Sequence, residues 1–156
     1  MGKKRDQIRM SEDELWKFVD EQKSLQVATL DKSGAPHLTT LWFAIVDGEI
    51  CFETFTKSQK IVNLQRDPRI AVLLEDGDSY NELRGVSIQG RARLYSDPEE
   101  VHGYALAVMK RNQPEIPAEQ LEGAAKMMAS KRTAVVVKPE KIISWDHRKL
   151  GGAASA

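Results

Sequence analysis

Apolar residues near the start of the chain recur at helical spacing. Leu15, Trp16, Phe18 and Val19 form one stripe, which predicts a helix ending near Gln22. Ser11 followed by Glu12, Asp13 and Glu14 supplies a capping-box start with acids in the first turn. From Leu25 the period shortens. Strands are predicted over Leu25–Leu30, His37–Val46 and Glu49–Thr54, joined by an Asp31-Lys32-Ser33-Gly34 turn and an Asp47-Gly48 hairpin. A helix carrying Ile61, Val62 and Leu64 follows the basic loop Thr56–Lys60. It stops before Asp67-Pro68, because the residue preceding proline disfavours helix.

The second half repeats the vocabulary. Arg69–Glu75 is a short apolar strand. Leu83–Tyr95 is a long alternating one with Val86, Ile88, Ala92 and Leu94 on one face. Gly85 and Gly90 within it are expected at bulges or bends. Helices are predicted over Glu99–Arg111 and Ala118–Ser130, then strands over Thr133–Val137 and Lys141–Trp145, split by Pro139. Six or seven hairpin-connected strands with helices at the crossovers predict a mainly β fold, an antiparallel barrel with peripheral helices. Leu41 to Ile45 run apolar on both faces, so one face fills the barrel and the other needs a cover, for which a second subunit is the simplest choice.

The 156 residues fit a single domain over 1–156, with residues 1–10 a frayed arm and 151–156, Gly-Gly-Ala-Ala-Ser-Ala, a mobile tail. Lys plus Arg equals Asp plus Glu at 23 each, which argues against nucleic-acid binding driven by bulk positive charge. The single cysteine, Cys51, excludes an intrachain disulfide and reads as a core residue of a strand. The N-terminus lacks the apolar run of a secretory signal, and no stretch approaches the ~18 apolar residues of a membrane span. The expected location is the cytoplasm, with no membrane or nucleic-acid partner.

The chemistry concentrates at Lys57-Ser58-Gln59-Lys60. Lysine in the first turn of a helix opposes the macrodipole. A bound anion reverses that sign, because free N–H groups, dipole and ammonium groups then act together. The alternative is two solvated surface lysines. Thr39, Thr40 and Trp42 lie near this loop if strands two and three pair, where hydroxyls and backbone groups would meet the edge of a planar ring and Trp42 would cover it. Trp42 as core or subunit packing is the alternative. Trp145 to Leu150 forms a second polar-aromatic cluster, able to close a pocket or simply to end the sheet. His37, His102 and His147 lack metal-ligand spacing, so no metal site is expected. No nucleophile motif stands out, and no catalytic residue is assigned.

Val27-Ala28-Thr29-Leu30, Gly34 with Pro36-His37-Leu38-Thr39, the Asp-Gly hairpin, Lys57–Lys60, Asn63-Leu64 and Arg66-Asp67-Pro68-Arg69 together resemble the pyridoxamine-phosphate-oxidase-like, flavin-binding split-barrel superfamily. The resemblance spans about residues 11–150. The Lys-Ser-Gln-Lys loop and the ending Ser144-Trp145-Asp146-His147-Arg148-Lys149-Leu150 look closest to the branch using the deazaflavin coenzyme F-420. The resemblance implies a homodimer with cofactor sites at the subunit interface. It places Lys57, Ser58, Gln59 and Lys60 on the cofactor phosphate and Thr39, Thr40, Leu41, Trp42 and Thr54 along the ring, with Trp145 and Arg148 from the partner chain. The implied activity is hydride transfer between coenzyme F-420 and an unsaturated or conjugated small molecule. FMN in place of deazaflavin, or a protein that stores a cofactor without turnover, are the alternatives. True pyridoxamine phosphate oxidases end in an arginine-rich segment, which is not found here, so vitamin oxidation is not expected.

Overall fold

The computed structural model describes residues 3–150. The expected mobile tail at 151–156 lies outside the described residues. A short helix, α1 (Lys4–Gln7), precedes α2 (Glu12–Glu21). The capping box is formed: the Glu14 N–H donates to Ser11 Oγ at 3.2 Å, and the Ser11 N–H to Glu14 Oε1 at 2.9 Å. This satisfies two donors that a helix start otherwise leaves free. Leu15, Phe18 and Val19 are the buried face of α2. Residues read as a frayed arm make tertiary contacts: Met10 is buried, and the Ile8 carbonyl accepts the Asp146 N–H at 2.7 Å.

Seven strands form one antiparallel sheet among the described residues: β1 (Ser24–Leu30), β2 (Pro36–Trp42), β3 (Ala44–Val46), β4 (Glu49–Phe55), β5 (Arg69–Asp76), β6 (Arg84–Tyr95) and β7 (Arg132–Asp146). Their order is β2-β1-β5-β6-β7-β4-β3. The single strand expected over 37–46 is therefore two. β2 pairs with β1 at one edge of the sheet, and β3 pairs with β4 at the other. Phe43 between them explains the break. Its ring is fully buried, with the Arg111 guanidinium 4.2 Å from its centroid, and its carbonyl accepts from Asn112 Nδ2 at 3.1 Å. Because the two edges are consecutive in the chain, the sheet has to curl into a half-barrel. Asp47 and Gly48 turn β3 into β4 with positive φ at both positions, as the Asp-Gly signal predicts.

The last two predicted strands are one, β7, which runs through Pro139. A register shift between Gln89 and Gly90 sets Gly90 opposite Pro139, so the proline meets an irregular point of the ladder. A Cβ at Gly90 would collide with the Lys138 carbonyl. Gly85 is not at a bulge; its missing side chain makes room for the Trp145 indole.

Alternation divides the sheet into two faces. Leu25, Val27, Ile70, Val72, Leu74, Val86 and Ile88 face the core with Phe18, Phe43 and Phe52. Helix α3 (Gln59–Arg66) adds Ile61 and Leu64 to that core. Helices α4 (Pro98–Asn112) and α5 (Ala118–Ala129) pack on each other, with α4 also against β3 and β4. On the opposite face, register aligns Leu38, Ala28, Ala71 and Gln89 across four strands. Leu38 is 68% and Trp42 45% exposed there. No helix among the described residues is long and apolar enough to cross a membrane.

Candidate functional site

The start of α3 is built by the end of β4. Phe55 pairs with Arg132, whose guanidinium lies 4.2 Å from its ring centroid. The Thr56 N–H donates to the Lys131 carbonyl at 2.9 Å, and the Thr56 and Thr133 hydroxyls bond at 2.8 Å. These contacts fix the strand end. The Ser58 N–H then donates to the Phe55 carbonyl at 2.9 Å, which turns the chain into the helix.

Ser58 occupies the N-cap position in extended backbone, yet its side chain caps nothing. Its Oγ is buried without a hydrogen-bond partner. The first-turn N–H groups of α3 are therefore uncapped, and no acidic residue sits in that turn. Among the described residues, neither Lys57 nor Lys60 lies within ion-pair distance of a carboxylate. Burial lowers the pKa of Lys60 from its ordinary value. An uncapped helix start, an unpaired hydroxyl and two unpaired cations leave this corner short of negative charge. An anion such as a phosphate supplies what is missing, so these residues fit the phosphate of a cofactor.

Asn63 holds the helix in place. It is fully buried, donates through Nδ2 to Thr29 Oγ1 on β1 at 3.0 Å, and accepts from Gln59 Nε2 at 2.7 Å. The amide thus ties the first turn of α3 to β1, the neighbour of β2. Ile61, Val62 and Leu64 marked the helix in the sequence, but the buried Asn63 amide's role is invisible until its partner on β1, 34 residues earlier, is known.

The strand-two residues are placed differently from expectation. Thr39 to Trp42 pair with β1, not with β4, because β2 ends before the Phe43 break. They also divide between faces. Thr39 and Leu41 lie opposite Val27 and Leu25 and share the core face, while Thr40 and Trp42 lie on the outer face. Thr39 Oγ1 is buried and unpaired, as is Oε1 of Gln26, the register partner of Thr40. As an edge strand, β2 has one side of its backbone without a strand partner. Thr54 pairs with Thr133 close to the α3 start.

Within one chain, Trp145 and Arg148 stand apart from this corner. The α3 start adjoins the Arg132 end of β7, whereas Trp145 lies at the other end, paired with Gly85. Arg148 is engaged by its own chain, through Nε and Nη2 to the Asp146 carboxylate at 2.9 and 2.8 Å. Asp76, the last residue of β5, is engaged structurally and accepts from Arg84 Nη2 at 2.6 Å. Cys51 is buried in β4, and burial pushes its thiol up to about 12. No group of three or more His, Cys, Asp or Glu that could hold a metal is found among the described residues.

The pyridoxamine 5'-phosphate oxidase family matches the chain over residues 11–146. A conserved hypothetical protein of Mycobacterium tuberculosis is 44% identical, with a TM-score of 0.89 over 96% of this chain and 92% of its own. An F-420 reductase is 22% identical, with a TM-score of 0.62 over 81% of this chain and 93% of its own. The heme storage protein HutZ of Vibrio cholerae is 17% identical, with a TM-score of 0.66 over 85% and 94%. The last two share the fold. No curated protein matches. The chain belongs to the pyridoxamine 5'-phosphate oxidase family.

Proposed function

We propose that this family member is a homodimeric oxidoreductase using the deazaflavin coenzyme F-420. The observation that carries the reading is the uncapped start of α3, with the unpaired Ser58 hydroxyl and the unpaired Lys57 and Lys60. Those groups, with Gln59, would hold the cofactor phosphate. The open edge of β2, from Thr39 to Trp42, and Thr54 would bind along the ring. Trp145 and Arg148 would come from the partner subunit, since one chain keeps them away from the α3 start. The outer face bearing Leu38 and Trp42 is the surface a second subunit would cover.

The choice of deazaflavin rests on the F-420 reductase that shares the fold and on this cationic corner. When bound, the coenzyme supplies a hydride to an unsaturated or conjugated acceptor. The chain's own residues neutralise the phosphate, orient the ring and exclude water from it. FMN in the same place is the nearest competing reading. Cofactor storage without turnover is a second, favoured by the heme storage protein of the same fold.

The test is fluorescence titration with coenzyme F-420 and with FMN, on wild type and Lys60→Ala. A charge-assisted bond is worth about 1.5–3 kcal/mol, so Lys60→Ala should weaken F-420 binding by roughly 10-fold or more. Preference for FMN would move the protein to the ordinary flavin branch. Tight binding without turnover of any conjugated acceptor would support storage, and binding of neither cofactor would sink the proposal.

A further inference from the structure

A second cavity lies away from the α3 start. It has a volume of about 560 Å³ and runs between the α1–α2 segment and the second half of β7. Three features make it more than a surface dent. The first is an open strand edge. β7 pairs with β4 only from Arg132 to Val136, so beyond that point its side away from β6 has no strand neighbour. Asp146 turns its N–H to that side, where the Ile8 carbonyl takes it at 2.7 Å. The two-residue period of a strand turns the backbone groups of Ser144 and Ile142 to the same side; both residues line the cavity, and Ser144 Oγ there accepts from the Met10 N–H at 3.0 Å.

The second feature is an apolar floor. Trp16 is half-buried against the core and Ile142 is 44% exposed, both in the cavity lining. The third is a cationic rim of Arg5, Arg9 and Lys141, faced by one acid, Glu12. Arg9 is tied to Asp6 at 2.8 Å. Among the described residues, Arg5 and Lys141 have no carboxylate within ion-pair distance. The volume falls in the range of small-molecule pockets, and an apolar lining with a few polar groups is their usual chemistry.

We propose that this cavity binds an apolar organic acid, a carboxylate or sulfonate carried on an aromatic or aliphatic body. The body packs on Trp16 and Ile142, the acid group meets Lys141 and Arg5, and a polar edge of the ligand meets the strand edge at Ile142, which has no strand partner on that side. The α3 start of the same chain adjoins the opposite end of β7, and the cavity lining contains none of the residues assigned above to the cofactor.

The probe is 8-anilinonaphthalene-1-sulfonate, titrated by its own fluorescence against the full chain. Octanoate serves as competitor and uncharged N-phenyl-1-naphthylamine as the neutral control. The expected result is saturable dye binding displaced by octanoate. Lys141→Glu should weaken it at least 10-fold without changing binding of the neutral dye. Ile142→Asp should weaken both dyes. Both positions are exposed, and unchanged melting temperatures would show that the fold persists. Absence of saturable dye binding, or dye affinity unmoved by both substitutions, would overturn the proposal.

Discussion

Replacing Asn63 with leucine tests how α3 is seated. The side chain is fully buried and bridges α3 and β1, and its partner Thr29 is 1% exposed. Leucine has nearly the same size, so little cavity forms and the loss is mainly polar. Removing the amide leaves the Thr29 hydroxyl buried without a partner, which costs about 1–3 kcal/mol. The bond from Gln59 is less costly to lose, because Gln59 is exposed and water can replace it. The expected destabilisation is about 2–3 kcal/mol, read by urea unfolding with tryptophan fluorescence at unchanged m-value. At about 2–4 °C per kcal/mol for a chain of this size, the melting temperature should fall by roughly 4–12 °C. Thr29→Val alone should cost a similar amount, because it orphans the Asn63 amide instead. The double substitution removes both partners and should cost clearly less than the sum, by about 1–2 kcal/mol. Additive costs would refute the view that this one buried bond seats the helix. So would a single-variant cost below about 0.5 kcal/mol.

Gly85→Ala should destabilise by about 1–3 kcal/mol and shift the fluorescence of Trp145, because the added methyl enters the indole's place; an unchanged melting curve would count against it. Cys51 should resist iodoacetamide in the native state at pH 8 and react on unfolding, since its thiol is buried and pushed up to about 12; rapid native labelling would contradict this. Glu14 is held down to about 2, chiefly by the Lys149 ammonium and then by the Ser11 N–H, against an ordinary 4.5. A depressed folded-state pKa contributes stability that is present above pH 4.5 and lost as pH falls towards 2. Glu14→Gln should therefore flatten the acid limb of the stability curve in that window, and an unchanged limb would show that the bond contributes nothing. If the outer face is a subunit interface, Trp42→Arg should convert a dimer into a monomer by sedimentation velocity; a wild-type monomer would remove the premise.

Much of the fold was legible because it depends on neighbours in sequence. The Ser11–Glu14 capping box, the Asp47-Gly48 hairpin and the stop at Asp67-Pro68 are local devices, and each stands where the sequence places it. The start of α3 was likewise legible: an N-cap serine at 58 stands between lysines at 57 and 60. What failed were readings that needed distant partners. Pro139 suggested a break, but a register shift on β6 absorbs it. The run Leu41 to Ile45 suggested one strand, but Arg111 and Asn112 on a helix far along the chain hold Phe43 apart from both ladders.

By itself, the sequence determined the alternation of apolar and polar positions, the turn chemistry and the charge at the start of α3, because periodicity, capping and φ preference act over a few residues. Only the tertiary structure decided that strand two would serve both edges of one sheet, and that Thr39 rather than Thr40 would share the core face. It alone joined Asn63 to Thr29 and left the second half of β7 with an open edge. Those outcomes depend on which strands pair, and pairing is settled by burial of the whole core rather than by any local stretch of chain.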